Sequence, residues 1–192
     1  MKDEKEPGLL QILAAIRHRE LYLNVPIHLF ILIPAATFLA FMGRRLDRIL
    51  HWRPYLSPPV SVVLACIMFA TGIFIVWYSY GYLYIKGKGS PGSHVDGGTR
   101  QMVTTGIFSV IRHPSVVGKL IGVLGLGVLF ASPSFTVFII PVLLLYSILT
   151  NRFLQEKYCE DKFGDEYREY RCRTPMLIPR AGALMAWLRG GR

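Results

Sequence analysis

Apolar residues in this chain gather into runs of membrane length, with short polar stretches between them. From Leu9 to Leu23 they recur at helical spacing (Leu9, Leu10, Leu13, Ile16, Leu21), with Gln11, Arg17, His18, Arg19 and Glu20 between them. That pattern predicts an amphipathic helix, lying on a membrane interface or packed on the other segments. Asn24 to Gly43 is the first candidate span, twenty residues long. At ~1.5 Å per residue it covers ~30 Å, one hydrocarbon core. Pro26 and Pro34 are candidate kinks, and His28 at its start reads as an interfacial histidine. A polar connection, Arg44 to Pro59, carries four arginines, with Trp52 and Tyr55 suited to the headgroup belt. Val60 to Ile85 is the second span, long enough to tilt, and it closes on the aromatic stretch Trp77 to Tyr84.

Lys86 to Arg100 changes character, with Gly87, Gly89, Gly92, Gly97 and Gly98 among lysines and Pro91. With no Walker spacing and no preceding strand, it predicts a connector or lid rather than a phosphate cradle. Ser115 to Ala131 and Phe135 to Thr150 are apolar runs separated only by Ser132-Pro133-Ser134, which predicts a helical hairpin. Gly118, Gly122, Gly125 and Gly127 in its first arm suit close helix approach in lipid. Asn151 to Lys162 continues as a polar helix, and another begins after Gly164. Beyond Pro175 and Pro179, Ala181 to Leu188 forms a short amphipathic tail with Trp187 at the lipid surface. The expected fold is an all-α membrane protein with about four transmembrane helices, five if the N-terminal helix inserts, and a C-terminal helical region. Its expected parts are residues 1–85, 86–180 and 181–192.

Composition agrees with a membrane chain: 52% of 192 residues are hydrophobic and mean hydropathy is +0.38. The net charge of +10 excludes little alone. The basic residues flank apolar runs, with no basic face interleaved with aromatics, so anionic headgroups are the expected partner and nucleic acid is not. With four spans, 17 of the 22 Lys and Arg fall on one face, which the positive-inside rule places in the cytosol. Cys66, Cys159 and Cys172 lack metal-ligand or disulfide spacing, so neither a metal nor a bridge is expected. Met1 to Gly8 lacks signal-peptide order, so the first apolar run is expected to stay in the mature protein.

The candidate chemistry sits in Thr105 to Gly118, where Arg112, His113 and Pro114 stand at the mouth of the hairpin. Polar groups are costly there. Arg112 and His113 can donate to an anion, assisted by the first-turn amides of the following helix. Pro114 suits the first helical position. Arg112 would equally serve as a headgroup contact. Glu156 lies six residues past the last apolar run, either as a solvated helix carboxylate or folded back over the mouth. Tyr167 and Tyr170 are one turn apart and share a helix face.

The elements Gly106-Ile-Phe-x-x-x-Arg112-His113-Pro114-x-x-x-Gly118, the hairpin, Glu156, and Phe163-Gly164-x-x-Tyr167-x-x-Tyr170 together resemble the isoprenylcysteine carboxyl methyltransferase and phospholipid methyltransferase family. The resemblance covers about Ile85 to Pro179. It implies S-adenosyl-L-methionine as methyl donor, Glu156 and Arg112 as catalytic residues, and His113, Pro114, Gly106, Gly118, Tyr167 and Tyr170 around the donor. It also implies a membrane-embedded acceptor, an isoprenylcysteine-like carboxylate or a phospholipid amine, at the cytosolic face. Two positions depart from the family pattern. Val116 stands where the family has tyrosine, and the place of an arginine five residues before Glu156 is Asn151, with Arg152 adjacent. Arg152 could take that place only if the helix were rotated by one residue. The alternatives are an NADPH-dependent membrane reductase, which distant resemblance to sterol reductases would imply, and a non-catalytic membrane scaffold.

Overall fold

A computed structural model describes residues 6–15, 19–89 and 98–189, with the backbone alone for 19–33 and 188. Among these residues every regular element is helical. The helices are α1 (Leu9–Ala15), α2 (Arg19–Ile49), α3 (Pro58–Gly87), α4 (Pro114–Leu129), α5 (Ile140–Thr150), α6 (Glu156–Phe163), α7 (Asp165–Arg173) and α8 (Ala181–Leu188). A 3-10 turn covers Gly106–Ser109, and π-helical segments occupy Phe135–Ile139 and Asn151–Gln155. Among the described residues two stretches are long and apolar enough to cross a membrane, Pro58–Gly87 and the continuous arm Phe135–Phe163, while α4 is a shorter apolar helix.

One boundary differs from expectation: the polar connection expected from Arg44 begins only after Ile49. The amphipathic run from Leu9 is helical over Leu9–Ala15 and again from Arg19, with residues 16–18 outside the described residues. Pro26 and Pro34 lie within α2. The polar stretch from Arg44 is helix as far as Ile49, because its polar groups have specific partners. The chain separates into two compact units.

One unit comprises Val25–Phe74 and Val117–Gln155. Its core joins Ala36 and Ala40 of α2, Val123 of α4, and Phe135. Asp47, buried on the last turn of α2, accepts bonds from Ser132 Oγ at 2.5 Å and the Ser134 amide at 2.8 Å. Ser132 Oγ also takes the Phe135 amide at 3.2 Å. The orphan amides at the start of the second hairpin arm are thus satisfied by side chains, as a helix start requires. Arg44 Nη1 donates to the Phe130 carbonyl at 2.6 Å. Helix α2 ends when the Trp52 amide reaches the Asp47 carbonyl and the His51 amide that of Arg48, with His51 at φ 56°. That is the double bond of a Schellman turn, with histidine at the left-handed position that glycine usually takes.

Both π segments have local causes. Phe135–Ile139 runs directly into Pro141, which has no amide hydrogen for the α-helical ladder. At Asn151–Gln155 two side chains insert into the ladder: Asn151 Nδ2 donates to the Ser147 carbonyl and Thr150 Oγ1 to that of Tyr146.

The close approach expected of the hairpin glycines is found at Gly125 and Gly127, where a Cβ would stand 3.2 Å from Phe69 Cε1 and 2.6 Å from Phe135 Cδ1, but not at every one of them. A Cβ placed on Gly72 of α3 would stand 2.6 Å from the Gly118 carbonyl, whereas one on Gly122 would meet nothing within 4 Å. Gly72→Ala should therefore force two helix backbones apart and cost about 1–3 kcal/mol. Gly122→Ala, free of clash and gaining helix propensity, should leave stability unchanged or raise it by up to ~1 kcal/mol. Thermal melting in detergent reads the contrast, and equal melting temperatures for the two variants would contradict this packing.

The other unit comprises Met1–Asn24, Ile75–Val116 and Glu156–Arg192. Its core gathers Ile12, Tyr82, Val103 and Phe108. A Cβ on Gly81 would collide with the Ile12 carbonyl, so this glycine admits α1 against α3. Helices α6 and α7 turn at Gly164, φ +57°. Glu160 ties them by accepting from Arg168 at 2.7 Å and Arg171 at 2.9 Å.

Candidate active site

Within this second unit the chain brings Arg112, His113 and Glu156 to one point. Glu156 opens α6 and is 1% exposed. Its Oε1 lies 3.1 Å from Arg112 Nη1 and 3.4 Å from His113 Nε2, with the Arg112 and His113 side chains 7% and 10% exposed. It is therefore a buried carboxylate facing two nitrogen groups, not a solvated one. Burial without partners would be prohibitive for either charge, so each holds the other in place.

The cluster is loose in a specific way. Arg112 Nη1 lies close to Glu156 without hydrogen-bond alignment, and both Nη1 and Nε of Arg112 are buried with no hydrogen-bond partner among the described residues. The Tyr167 hydroxyl is in the same condition. Buried donors left open are rare and ask for an explanation, such as an absent ligand. All three are donors, so the fitting group is anionic or rich in acceptors. Burial, then the charge of Glu156, holds the Tyr167 phenol above its ordinary range. Burial, then Tyr167, does the same for Tyr170. Both therefore stay protonated at neutral pH, and Tyr167 remains a donor.

The backbone around the cluster is set by the C-terminal strap. The Arg112 amide donates to the Pro175 carbonyl at 2.9 Å and the His113 amide to that of Met176 at 3.2 Å. Pro114 is fully buried as the first residue of α4, and the His113 carbonyl takes the Val116 amide at 3.1 Å. The Tyr170 hydroxyl donates to the Phe108 carbonyl at 2.7 Å, which leaves its ring rather than its hydroxyl for a ligand. That ring meets Tyr167 edge-on, with centroids 6.1 Å apart.

Gly106 has φ +60°, and a Cβ there would stand 2.5 Å from Tyr82 Cζ. It is needed both for its left-handed backbone and for the space taken by Tyr82. Fully buried Tyr82 shares hydrogen bonds of 2.7 Å with Glu6 Oε2 and with Thr105 Oγ1. This support was not singled out from sequence, because Tyr82 is one of four tyrosines between Tyr78 and Tyr84 and nothing local distinguishes it.

Of the remaining candidates, Gly118 belongs to the other unit, with its carbonyl against Gly72. At the position that departs from the family pattern, Asn151 is buried and its neighbour Arg152 exposed. Arg112 stands beside Glu156. Among the described residues no group of His, Cys, Asp and Glu could hold a metal ion, and the cysteines are free.

A family model described as phospholipid methyltransferase matches residues 60–166. The chain is 37% identical over 79 residues to a protein-S-isoprenylcysteine O-methyltransferase of Schizosaccharomyces pombe, covering 41% of this chain and 33% of that protein. It is 29% identical over 132 residues to the Saccharomyces cerevisiae protein of the same name, covering 65% and 51%. It is 32% identical over 99 residues to the cobalt-zinc-cadmium resistance protein CzcN of Cupriavidus metallidurans, covering 51% and 40%. The matches thus span between a third and about half of the length of these relatives. No solved structure matches the chain.

Proposed function

The chain belongs to the phospholipid methyltransferase family, and from that premise we propose that it transfers a methyl group from S-adenosyl-L-methionine to an amphiphilic acceptor held in the membrane. The observation that carries this reading is the buried Arg112–Glu156–His113 cluster with donors left open on Arg112 and Tyr167. S-adenosyl-L-methionine, when bound, supplies a methyl group on a sulfonium that a nucleophile displaces directly.

The residues present fit such a donor. Arg112 and Tyr167 offer hydrogen bonds to its carboxylate, and His113 adds a third polar contact. The rings of Tyr167 and Tyr170 supply an aromatic wall, and π faces near a sulfonium are favourable. Glu156 is the one carboxylate in the cluster. It accepts a proton from an amine acceptor or holds Arg112 toward a carboxylate acceptor. Pro114 and Gly106 act through the backbone by setting the start of α4 and the approach to Arg112. Burial of the cluster excludes water and makes orientation effective; positioning of this kind contributes about 7–11 kcal/mol in well-aligned reactions.

The acceptor is an isoprenylcysteine-like carboxylate or a phospholipid amine, since relatives carry both kinds of name. The proposed topology has four crossings, by α2, α3, α4 and the Phe135–Phe163 arm, with the cluster on the cytosolic face that carries most of the Lys and Arg.

Titration of S-adenosylhomocysteine onto detergent-purified protein should show saturable binding. His113→Ala combined with Arg112→Ala should weaken it by about tenfold or more, the loss expected for charge-assisted hydrogen bonds. Heat protection by NADPH alone would remove this reading and favour a reductase, and binding of neither would favour a non-catalytic scaffold. Incubating expressing membranes with labelled S-adenosylmethionine and extracting lipid then separates a lipid acceptor from a lipidated protein.

A further inference from the structure

The 3-10 turn Gly106–Ser109 stands just before Arg112 and carries bonds to both halves of the candidate site. Its Phe108 carbonyl holds the Tyr170 hydroxyl at 2.7 Å. Its Ile107 carbonyl takes the Val110 and Ile111 amides, both at 3.2 Å, which directs the chain into Arg112. Whatever fixes this turn therefore fixes the placement of Arg112 and of Tyr170, whose ring meets Tyr167 edge-on.

The turn is not capped from within. Thr105 holds its N-cap position, where a threonine hydroxyl ordinarily accepts an amide of its own turn, but it makes no such bond. Instead its hydroxyl lies 2.7 Å from that of Tyr82, 23 residues earlier on α3. The Tyr82 hydroxyl donates its one hydrogen to Glu6 Oε2 at 2.7 Å, so the Thr105 hydroxyl is the donor to Tyr82. The result is a directed relay from Thr105 to Tyr82 to Glu6, in which each bond polarises the next. The Tyr82 ring adds packing. It is fully buried, fills the space beside Gly106 that a Cβ would need, and lies 6.1 Å from the Phe108 ring. Glu6, Tyr82, the turn and the Arg112–Glu156 cluster all belong to one unit.

We propose, on the methyl-donor reading above, that Tyr82 is a positioning residue for donor binding. Anchored by Glu6, it holds Thr105 and the turn that follows, and through them Arg112, Tyr170 and Tyr167. It acts through these residues and not on the donor itself.

The test compares the detergent-purified full chain with two variants. Tyr82→Phe keeps the ring and removes both hydroxyl bonds, and Thr105→Val removes one of them from the other side. Titrated with S-adenosylhomocysteine, each variant should bind about fivefold more weakly, the factor that corresponds to one hydrogen bond. The double variant should bind no more weakly than Tyr82→Phe alone, because both changes break the same link. Tyr55→Phe, which loses a hydroxyl bonded to Thr136 in the other unit, should keep the parental affinity. In unliganded Tyr82→Phe the amides of residues 108–113 should exchange hydrogen about fivefold faster while those of α5 keep their rate, since a general loss of stability would speed both. In labelled transfer by expressing membranes the same variant should raise KM for S-adenosylmethionine by a like factor and leave kcat within about twofold. Parental affinity in Tyr82→Phe, an equal loss in Tyr55→Phe, or unchanged exchange at 108–113 overturns the proposal. A parent chain that binds no S-adenosylhomocysteine removes the methyl-donor reading instead, and exchange in the unliganded chain then decides alone whether Tyr82 holds the turn.

Discussion

Replacing Glu156 by alanine is expected to abolish methyl transfer and to destabilise the protein in the same stroke. Two effects add. As proton acceptor or substrate-orienting group, a positioned carboxylate contributes about 10²–10⁴ in rate. As the counter-charge of Arg112, its removal strands a side chain only 7% exposed, and breaking one side of a buried pair costs about 3–5 kcal/mol. Glu156→Gln separates them: it keeps the shape and an acceptor oxygen but removes the charge. Its melting temperature should fall less than that of Glu156→Ala, while its initial rate with labelled S-adenosylmethionine should stay at least about 100-fold below the parent. A rate within a few fold of the parent for Glu156→Gln would deny the carboxylate any part in the chemistry.

The second large effect is structural and lies in the other unit. Asp47→Ala should remove the acceptor for both Ser132 Oγ and the Ser134 amide. Bonds to a charged acceptor contribute about 1.5–3 kcal/mol each, and a buried donor left without a partner adds its own cost. A loss of about 3 kcal/mol or more is expected, enough to lower the melting temperature by several degrees in a chain of this size. Asp47→Asn can keep one of the two bonds and should fall between. Melting curves of both variants decide it, and a parental melting temperature for Asp47→Ala would show that the hairpin turn does not depend on this carboxylate.

These two carboxylates illustrate what could be read from the chain and what could not. The hairpin arms, the second span and the tail helix follow from runs and spacing, because apolar periodicity is a local property that each segment carries in itself. The second apolar helix was expected over Val60 to Ile85 and is found over Pro58–Gly87, long and apolar enough to cross a membrane. Arg112, His113 and Glu156 were also legible, though through a motif and not through geometry. Asp47 was not. It sits in an arginine-rich stretch that reads as a surface connection, and its partners lie 85 and 87 residues away. Tyr82 escaped for a related reason: its hydroxyl joins Glu6 to Thr105, and no local pattern marks one tyrosine in an aromatic run as the buried one.

By itself, then, the sequence determined the helical class, the membrane-length runs and the residue types available at the mouth of the hairpin. Tertiary structure decided the pairings: Arg112 and His113 beside Glu156, Tyr170 bonded to the Phe108 carbonyl while Tyr167 keeps an open hydroxyl, and α2 continuing to Ile49 with Asp47 on its last turn. The physical reason is that apolar burial is nearly non-directional and encoded segment by segment. A hydrogen bond or ion pair requires two particular groups at one distance and angle, and that condition is met only when distant parts of the chain have already packed.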